Sequence, residues 1–322
     1  MAPEAAAAAS PRYPVLSENG RLIAERRYLL HTPRGELLET PAEMWRRVAH
    51  AIAAVEHRYA TPLAVIEDFE AKLREEMALH NFVPAGRTLA NAGAPTPIVP
   101  NCVVLHIEDS MNSIFETLKD AAMLQQKGSG IGFPLHLMRP AGEIAHASLG
   151  VASGPVSFLR VYDTAFTVIK QHSRNGANMA VMSVEHPDIL EFIGAKAREG
   201  DIQNFNISVG LTREFMERVE RDEPGDVWYC HFGGKRMLPR RITRDSRLNL
   251  LKAEPVEMTP RALFREIVEY AWRNGEPGCA YVDGRRCISP RAGVFLSTAN
   301  ENNPLPGLGR LEATNPCGVY FR

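Results

Sequence analysis

The chain carries almost no excess of either charge. Its 37 basic and 38 acidic residues among 322 leave a formal net charge of −1. No gross field therefore draws it to a nucleic-acid polymer or an anionic membrane. Long apolar runs are missing too, since no stretch reaches the ~18 residues a membrane span needs. The opening Met1-Ala2-Pro3-Glu4 and its five alanines lack the basic lead and bulky apolar core of a signal peptide. That stretch reads as a disordered arm over 1–20, and the chain as cytoplasmic. Cysteines are few: Cys102, Cys230, Cys279, Cys287 and Cys317. They form no C-x-x-C pair, and no Cys/His spacing resembles a zinc site. The ten histidines give no i, i+4 pair, so no metal site is expected. There is no G-x-S-x-G elbow and no hydrolytic triad. For Cys230, Cys279 and Cys287 the expectation is a reduced, buried thiol behaving as a small hydrophobe.

What remains is an ordinary globular composition, 45% hydrophobic and 23% charged, long enough for about two domains. Tyr28 to Leu38 reads as two short strands around Pro33-Arg34-Gly35. Thr40-Pro41-Ala42-Glu43 is a capping box with proline at the first helical position. Met44, Val48, Ile52 and Val55 follow at helical spacing, and a second helix from Thr61-Pro62 carries Ile66, Phe69, Leu73 and Met77. Residues 21–95 thus form a mostly helical N-terminal domain.

From residue 96 the texture alternates. Asn101 to Ile107 reads as a buried strand, and Asp109 or Ser110 caps a helix with Ile114, Phe115, Leu118 and Ala122 on one face. Phe133 to Met138 is a strand, Val156 to Lys170 a helix and Met179 to Val184 a strand. His186-Pro187-Asp188 opens another helix, Asn206 to Gly210 is strand-like, and Pro260 to Trp272 is a helix stopped by Gly275. Strand alternating with helix predicts an α/β architecture with parallel pairing.

Three loops could carry chemistry. Gly128, Gly130 and Gly132 have G-x-G-x-G spacing, with a helix before and a strand after, the reverse of a dinucleotide fingerprint. They are either a connection that uses φ > 0 or a place where a ligand nears the backbone. Ser173 to Asn178 is a polar loop that either binds a base or phosphate or merely turns the chain. His186, before Pro187, reads as a turn residue rather than a ligand. Finally, Asn315-Pro316-Cys317-Gly318 presents a thiol on a loop.

In chain order, the blocks Pro84 to Gly93, Asn101 to Leu105 with Glu108-Asp109-Ser110, Lys127 to Gly132, and Leu137-Met138-Arg139-Pro140 are followed by Ala152 to Phe158, His186-Pro187-Asp188-Ile189 and Glu312 to Gly318. This ordered series resembles the catalytic subunit of ribonucleotide reductase, most closely the adenosylcobalamin-dependent class II enzymes. The resemblance implies an α/β fold: the helical N-terminal domain, then over 96–322 the first part of a ten-stranded α/β barrel ending at its finger loop. It implies reduction of ribonucleoside diphosphates to deoxyribonucleotides, with adenosylcobalamin generating the radical.

By that resemblance Cys317 is the thiyl-radical carrier, Asn315 a substrate hydrogen-bonding residue and Cys102 the first of two redox thiols. Thr88, Asn101 and Gly130 are substrate contacts. Asp109, Ser110 and Arg139 belong to an effector-nucleotide site, with Ser173, Arg174 and Asn175 in the loop linking effector to substrate choice. The implied partners are a ribonucleotide substrate, deoxynucleoside triphosphate or ATP effectors, a thioredoxin-like or other dithiol reductant, and a second copy when full length. Two alternatives stand beside it: a class I large subunit served by a separate radical-generating subunit, and an inactive nucleotide-binding fragment. The wording of Ala152 to Phe158 and the lack of an ATP-cone-like extension favour class II. One departure matters. Val319 stands where the family has an acid/base glutamate, and the resemblance stops at Gly318, implying a truncated, frameshifted or intein-interrupted frame.

Overall fold

The computed structural model describes residues 16–95, 99–100, 102–126, 129–145, 150–169 and 177–282. It divides into two compact units, 1–101 and 102–322.

The first unit is built from α1 (Glu18–Arg27), α2 (Pro41–Ala53), a 3₁₀ segment (Ala54–Tyr59), α3 (Leu63–Ala78) and α4 (Gly86–Asn91). The expected capping box forms: the Thr40 side chain accepts from the Glu43 amide, and Glu43 accepts from the Thr40 amide at 2.8 Å. Met44 and Val48 are buried and Ile52 half-buried, but Val55 is exposed. The backbone tightens into 3₁₀ geometry at Ala54, so the 3.6-residue period that would turn Val55 inward is lost. On α3, Ile66 and Met77 are buried while Phe69 is exposed. The two strands expected around Pro33 reduce to one antiparallel bridge, His31 to Leu37. Tyr28 instead caps α1, and the Thr32 hydroxyl accepts from the amides of Arg34 and Glu36, competing with a longer ladder.

The second unit runs β1 (Cys102–Val104), α5 (Met111–Gln126), β2 (Gly130–Pro134), β3 (Ile144–Ala145), β4 (Gly150–Val151), α6 (Pro155–Val168) and β5 (Asn178–Ser183). It continues with α7 (Ile189–Ile193), β6 (Phe205–Leu211), α8 (Arg213–Arg221), β7 (Cys230–Phe232), β8 (Lys235–Met237), β9 (Arg240–Arg244), β10 (Leu250–Pro255), α9 (Pro260–Asn274) and β11 (Gly278–Tyr281). Five strands form one sheet in the order β1-β2-β5-β6-β11, every neighbouring pair parallel. That is the α/β architecture the alternation predicts. All of β2 and nearly all of β6 are buried, as expected where helices cover a parallel sheet. Phe133, Tyr162, Phe166 and Phe205 meet in the core with ring centroids 5.4–6.3 Å apart.

Several boundaries differ from the sequence reading. The first strand shortens to β1. The next begins at Gly130 rather than Phe133, and the chain turns after Pro134, which has no amide to donate. Gly130 and Gly132 therefore lie inside a buried strand, and neither has positive φ. Helix α5 buries Ile114, Thr117, Ala121 and Gln125, a stripe displaced from the expected one, and leaves Phe115 exposed. Cys230 is buried as expected, whereas Cys279 is exposed on β11, the last strand in the order of the described sheet. Cys287 lies outside the described residues. Three antiparallel pairs, β3–β4, β7–β8 and β9–β10, have no apolar alternation to announce them.

Candidate functional site

The N-terminus of α5 opens onto a cleft of about 700 Å³. Ser110 is the N-cap: its hydroxyl accepts the Ser113 amide at 3.1 Å, and its carbonyl accepts the Ile114 amide. That frees Asp109 for another task. Its carboxylate takes Arg139 in a fork, with Nε 3.1 and 2.9 Å from the two oxygens, and accepts the Arg139 amide at 2.9 Å. Both side chains are about one-third exposed, at 32% and 30%, so the pair sits at the cleft mouth rather than in the core. Asp109, Ser110 and Arg139 all line this cleft. Met111 and Asn112 of the first helical turn join them, and Met138, Val151, Gly154 and Phe158 supply apolar wall. A first-turn amide array beside a guanidinium is chemistry suited to an anion, above all a phosphate.

A second set of candidates sits where the parallel strands begin. Cys102 opens β1, is half-buried, and is the register partner of Gly130 on β2. The next position, Ile131, pairs with Asn178 on β5. Buried Gln125 donates to Asn178 at 2.5 Å, and Asn178 donates onward to the Asn204 carbonyl at 3.0 Å. Beside them Ser129 is fully buried, and its hydroxyl finds no hydrogen-bond partner among the described residues. Sequence reasoning passed over Ser129 and Gln125. Their one signal is polarity at the junction of an amphipathic helix and a strand.

Thr88 belongs to the first unit, half-buried on α4. Arg47 of α2 steadies that helix, donating to the carbonyl of Leu89 at 2.9 Å and to that of Ala92 while paired with Glu39 at 2.7 Å. A larger open groove of about 950 Å³ in this unit runs past Leu29, Trp45 and His80, and none of the candidate residues lines it. Asn101, Ser173, Arg174, Asn175, Asn315 and Cys317 lie outside the described residues. Among the described residues no cluster of three or more His, Cys, Asp or Glu could hold a metal ion. No helix among them is long and apolar enough to cross a membrane.

Charge and burial set the chemistry of the surrounding groups. Burial pushes the Cys230 thiol far above its ordinary range, so it stays protonated and inert. His186 is lowered to about 4, mainly by burial. Burial also raises Asp188, against the pull of Arg240 and of the Ala141 amide.

The comparisons with known proteins agree on one family. Residues 15–97 match the family model described as ribonucleotide reductase, all-alpha domain, and residues 100–321 match that described as ribonucleotide reductase, barrel domain. A vitamin B12-dependent ribonucleoside-diphosphate reductase of Mycobacterium tuberculosis is 39% identical, over 92% of this chain and 38% of its own length. Its counterpart in Thermoplasma acidophilum is 32% identical, over 94% of this chain and 42% of that protein. The ribonucleoside-diphosphate reductase large chain of Schizosaccharomyces pombe is 31% identical over 65% of this chain and 27% of its own. The chain thus spans about two-fifths of the B12-dependent relatives just named. With a matching helical unit, a matching parallel-stranded unit and relatives of one kind, the chain belongs to the ribonucleotide reductase family.

Proposed function

We propose that this chain supplies the nucleotide-binding face and the first barrel strands of a vitamin B12-dependent ribonucleotide reductase acting on ribonucleoside diphosphates. The domain limits are taken as 21–95 for the helical part and 96–322 for the barrel part. Thr88, Asn101 and Gly130 contact the substrate nucleotide, and Asn315 hydrogen-bonds it. Cys317 carries the thiyl radical, and Cys102 is one of the two thiols that deliver electrons to the 2′ position and end as a disulfide. Adenosylcobalamin, when bound, supplies the initiating radical. None of the described side chains is assigned to hold it, and Cys317, the thiol it would serve, lies outside them. A thioredoxin-like or other dithiol returns Cys102 to its reduced form. The protein works in the cytoplasm, as a homodimer when full length.

The observation that carries this reading is the cleft at α5. Ser110 and Arg139 converge there with a helix N-terminus, donors suited to a triphosphate, and Asp109 orients the Arg139 guanidinium by accepting from it. We assign it to a deoxynucleoside triphosphate or ATP effector, with Ser173, Arg174 and Asn175 relaying the effector's identity to the substrate. Equilibrium titration of the chain with dATP tests it. Binding should weaken at least about tenfold in Arg139→Ala, since a charge-assisted contact to phosphate is lost. Unchanged binding in that variant, or no binding by the parent chain at millimolar nucleotide, would sink the assignment.

A further inference from the structure

Three stretches far apart in sequence close on a single turn beside the cleft. The turn is Met138-Arg139-Pro140-Ala141, and it carries Arg139 between two anchors. On one side the His186 ring nitrogen Nε2 lies 3.0 Å from the Met138 carbonyl. On the other, Asp188 Oδ2 accepts the Ala141 amide at 2.6 Å. The tautomer follows from the partners. His186 Nδ1 accepts the Asp188 amide at 3.0 Å, so the ring proton is on Nε2 and that N–H donates to Met138.

The anchors are themselves held. Asp188 Oδ1 accepts Arg240 Nη2 at 2.7 Å, and the Arg240 amide donates to the Pro187 carbonyl at 2.7 Å. Gly154 closes the third side with φ +85°. A Cβ there would stand 2.8 Å from Ala141 Cβ and 2.9 Å from Asp188 Oδ2. The cleft wall beside it is fixed too: Arg244 donates to the Ser153 carbonyl at 2.7 Å and pairs with Glu191 at 2.5 Å.

His186, Asp188 and Ala141 are all buried. A charged, hydrogen-bonded solution in a core is a costly way to obtain mere packing, since an apolar replacement is often as stable. What it provides is orientation of the one residue left pointing outward, Arg139, whose amide and guanidinium both reach Asp109.

We propose that His186 and Asp188 are positioning residues for the cleft. By gripping the Met138 carbonyl and the Ala141 amide, they hold the turn so that Arg139 and Asp109 meet at the cleft mouth in the geometry a phosphate-bearing ligand requires. The proposal rests on the reading of the cleft as a nucleotide site and extends it to residues that touch no ligand.

The test compares His186→Gln with His186→Asn in the 322-residue chain. Glutamine reaches as far as Nε2 and keeps the donor to Met138; asparagine reaches only as far as Nδ1 and loses it. Three quantities are measured: hydrogen exchange at the Arg139 and Ala141 amides, the Kd for dATP, and the urea midpoint. Asparagine should cost about tenfold or more in Arg139 protection and about tenfold in dATP affinity, the scale of one lost anchoring bond. Glutamine should keep both close to the parent values, with the two midpoints alike. If both variants lose protection and affinity in step with stability, or neither loses either, the bracket is only structural and the proposal fails. A parent chain that binds no dATP while only the asparagine variant loses Arg139 protection removes the nucleotide reading and leaves the bracket standing.

Discussion

His186 shows how much a single residue can conceal. In the sequence it is a histidine before a proline, with nothing to separate a solvated turn from a buried anchor. In the structure it is 2% exposed, with both ring nitrogens engaged. Burial disfavours the imidazolium and lowers its pKa to about 4, with His136 and Arg240 adding to the effect and the Met138 carbonyl opposing it. In the unfolded chain the same ring titrates near 6.5. As pH falls through 6.5 the unfolded state takes up a proton that the folded state refuses until about 4. The stability this ring contributes is therefore complete above 6.5 and is lost between 6.5 and about 4. By pH 5 the loss is about 2 kcal/mol. Asp188 and Glu191, whose carboxyls burial raises, act in the opposite sense, so the parent must be compared with His186→Gln rather than judged alone. Unfolding free energies from urea titration at pH 7.5 and pH 5 should diverge by that amount between the two proteins; parallel values would mean the folded ring takes up its proton at the ordinary pH.

At the scale of elements, legibility tracked local chemistry. Helices α2 and α9 begin where threonine precedes proline, and α9 stops at Gly275 in the left-handed region, because caps and stops are written in one or two residues. Of the parallel strands, β1, β2, β5 and β6 were legible as apolar runs, whereas β11, the short Gly278–Tyr281, was not. Nor was the hairpin β9–β10. Its strand Arg240–Arg244 is four-fifths polar, and what inserts it into the fold is ion pairing of Arg240 with Asp188 and Arg244 with Glu191, partners some fifty residues away. No local period can announce a contact of that kind. The candidate site divides along the same line. Ser110 as a helix cap was readable, whereas the Asp109–Arg139 fork joins two elements across 30 residues and entered only through family resemblance. The capping box gives the element-scale prediction. Thr40→Ala removes the acceptor for the Glu43 amide, together with the hydroxyl that donates to Glu43, and should cost about 1 kcal/mol. Chemical denaturation followed by the fluorescence of Trp45, buried on α2, would report it, and a change below a few tenths would show that the cap frays in solution.

For the whole molecule, sheet order constrains the redox chemistry. A thiol that gives electrons to a nucleotide needs a second thiol with which to close a disulfide, and disulfides require Cα atoms within about 7 Å. Among the described residues, Cys102 lies on β1 at one end of the sheet order, and Cys279 on β11 at the other. Four strand spacings separate them, roughly 19 Å along the sheet. Cys230 is fully buried on β7, its thiol held protonated, and so is no nucleophile. Within this sequence only Cys287 and Cys317 remain, and Cys317 is the proposed radical carrier. If, as the family resemblance implies, the reaction uses a carboxylic acid where this chain has Val319, the loss of general acid–base catalysis costs about 10²–10⁴ in rate. The purified 322-residue chain, given a ribonucleoside diphosphate, adenosylcobalamin and a dithiol, should therefore form no measurable deoxyribonucleotide. Peptide mapping after mild oxidation should find no Cys102–Cys279 or Cys102–Cys230 disulfide. Sustained turnover would refute the first expectation. A Cys102–Cys279 disulfide, formed in the folded chain, would show that the strand order in solution differs, and a Cys102–Cys230 disulfide that Cys230 is not held buried and protonated.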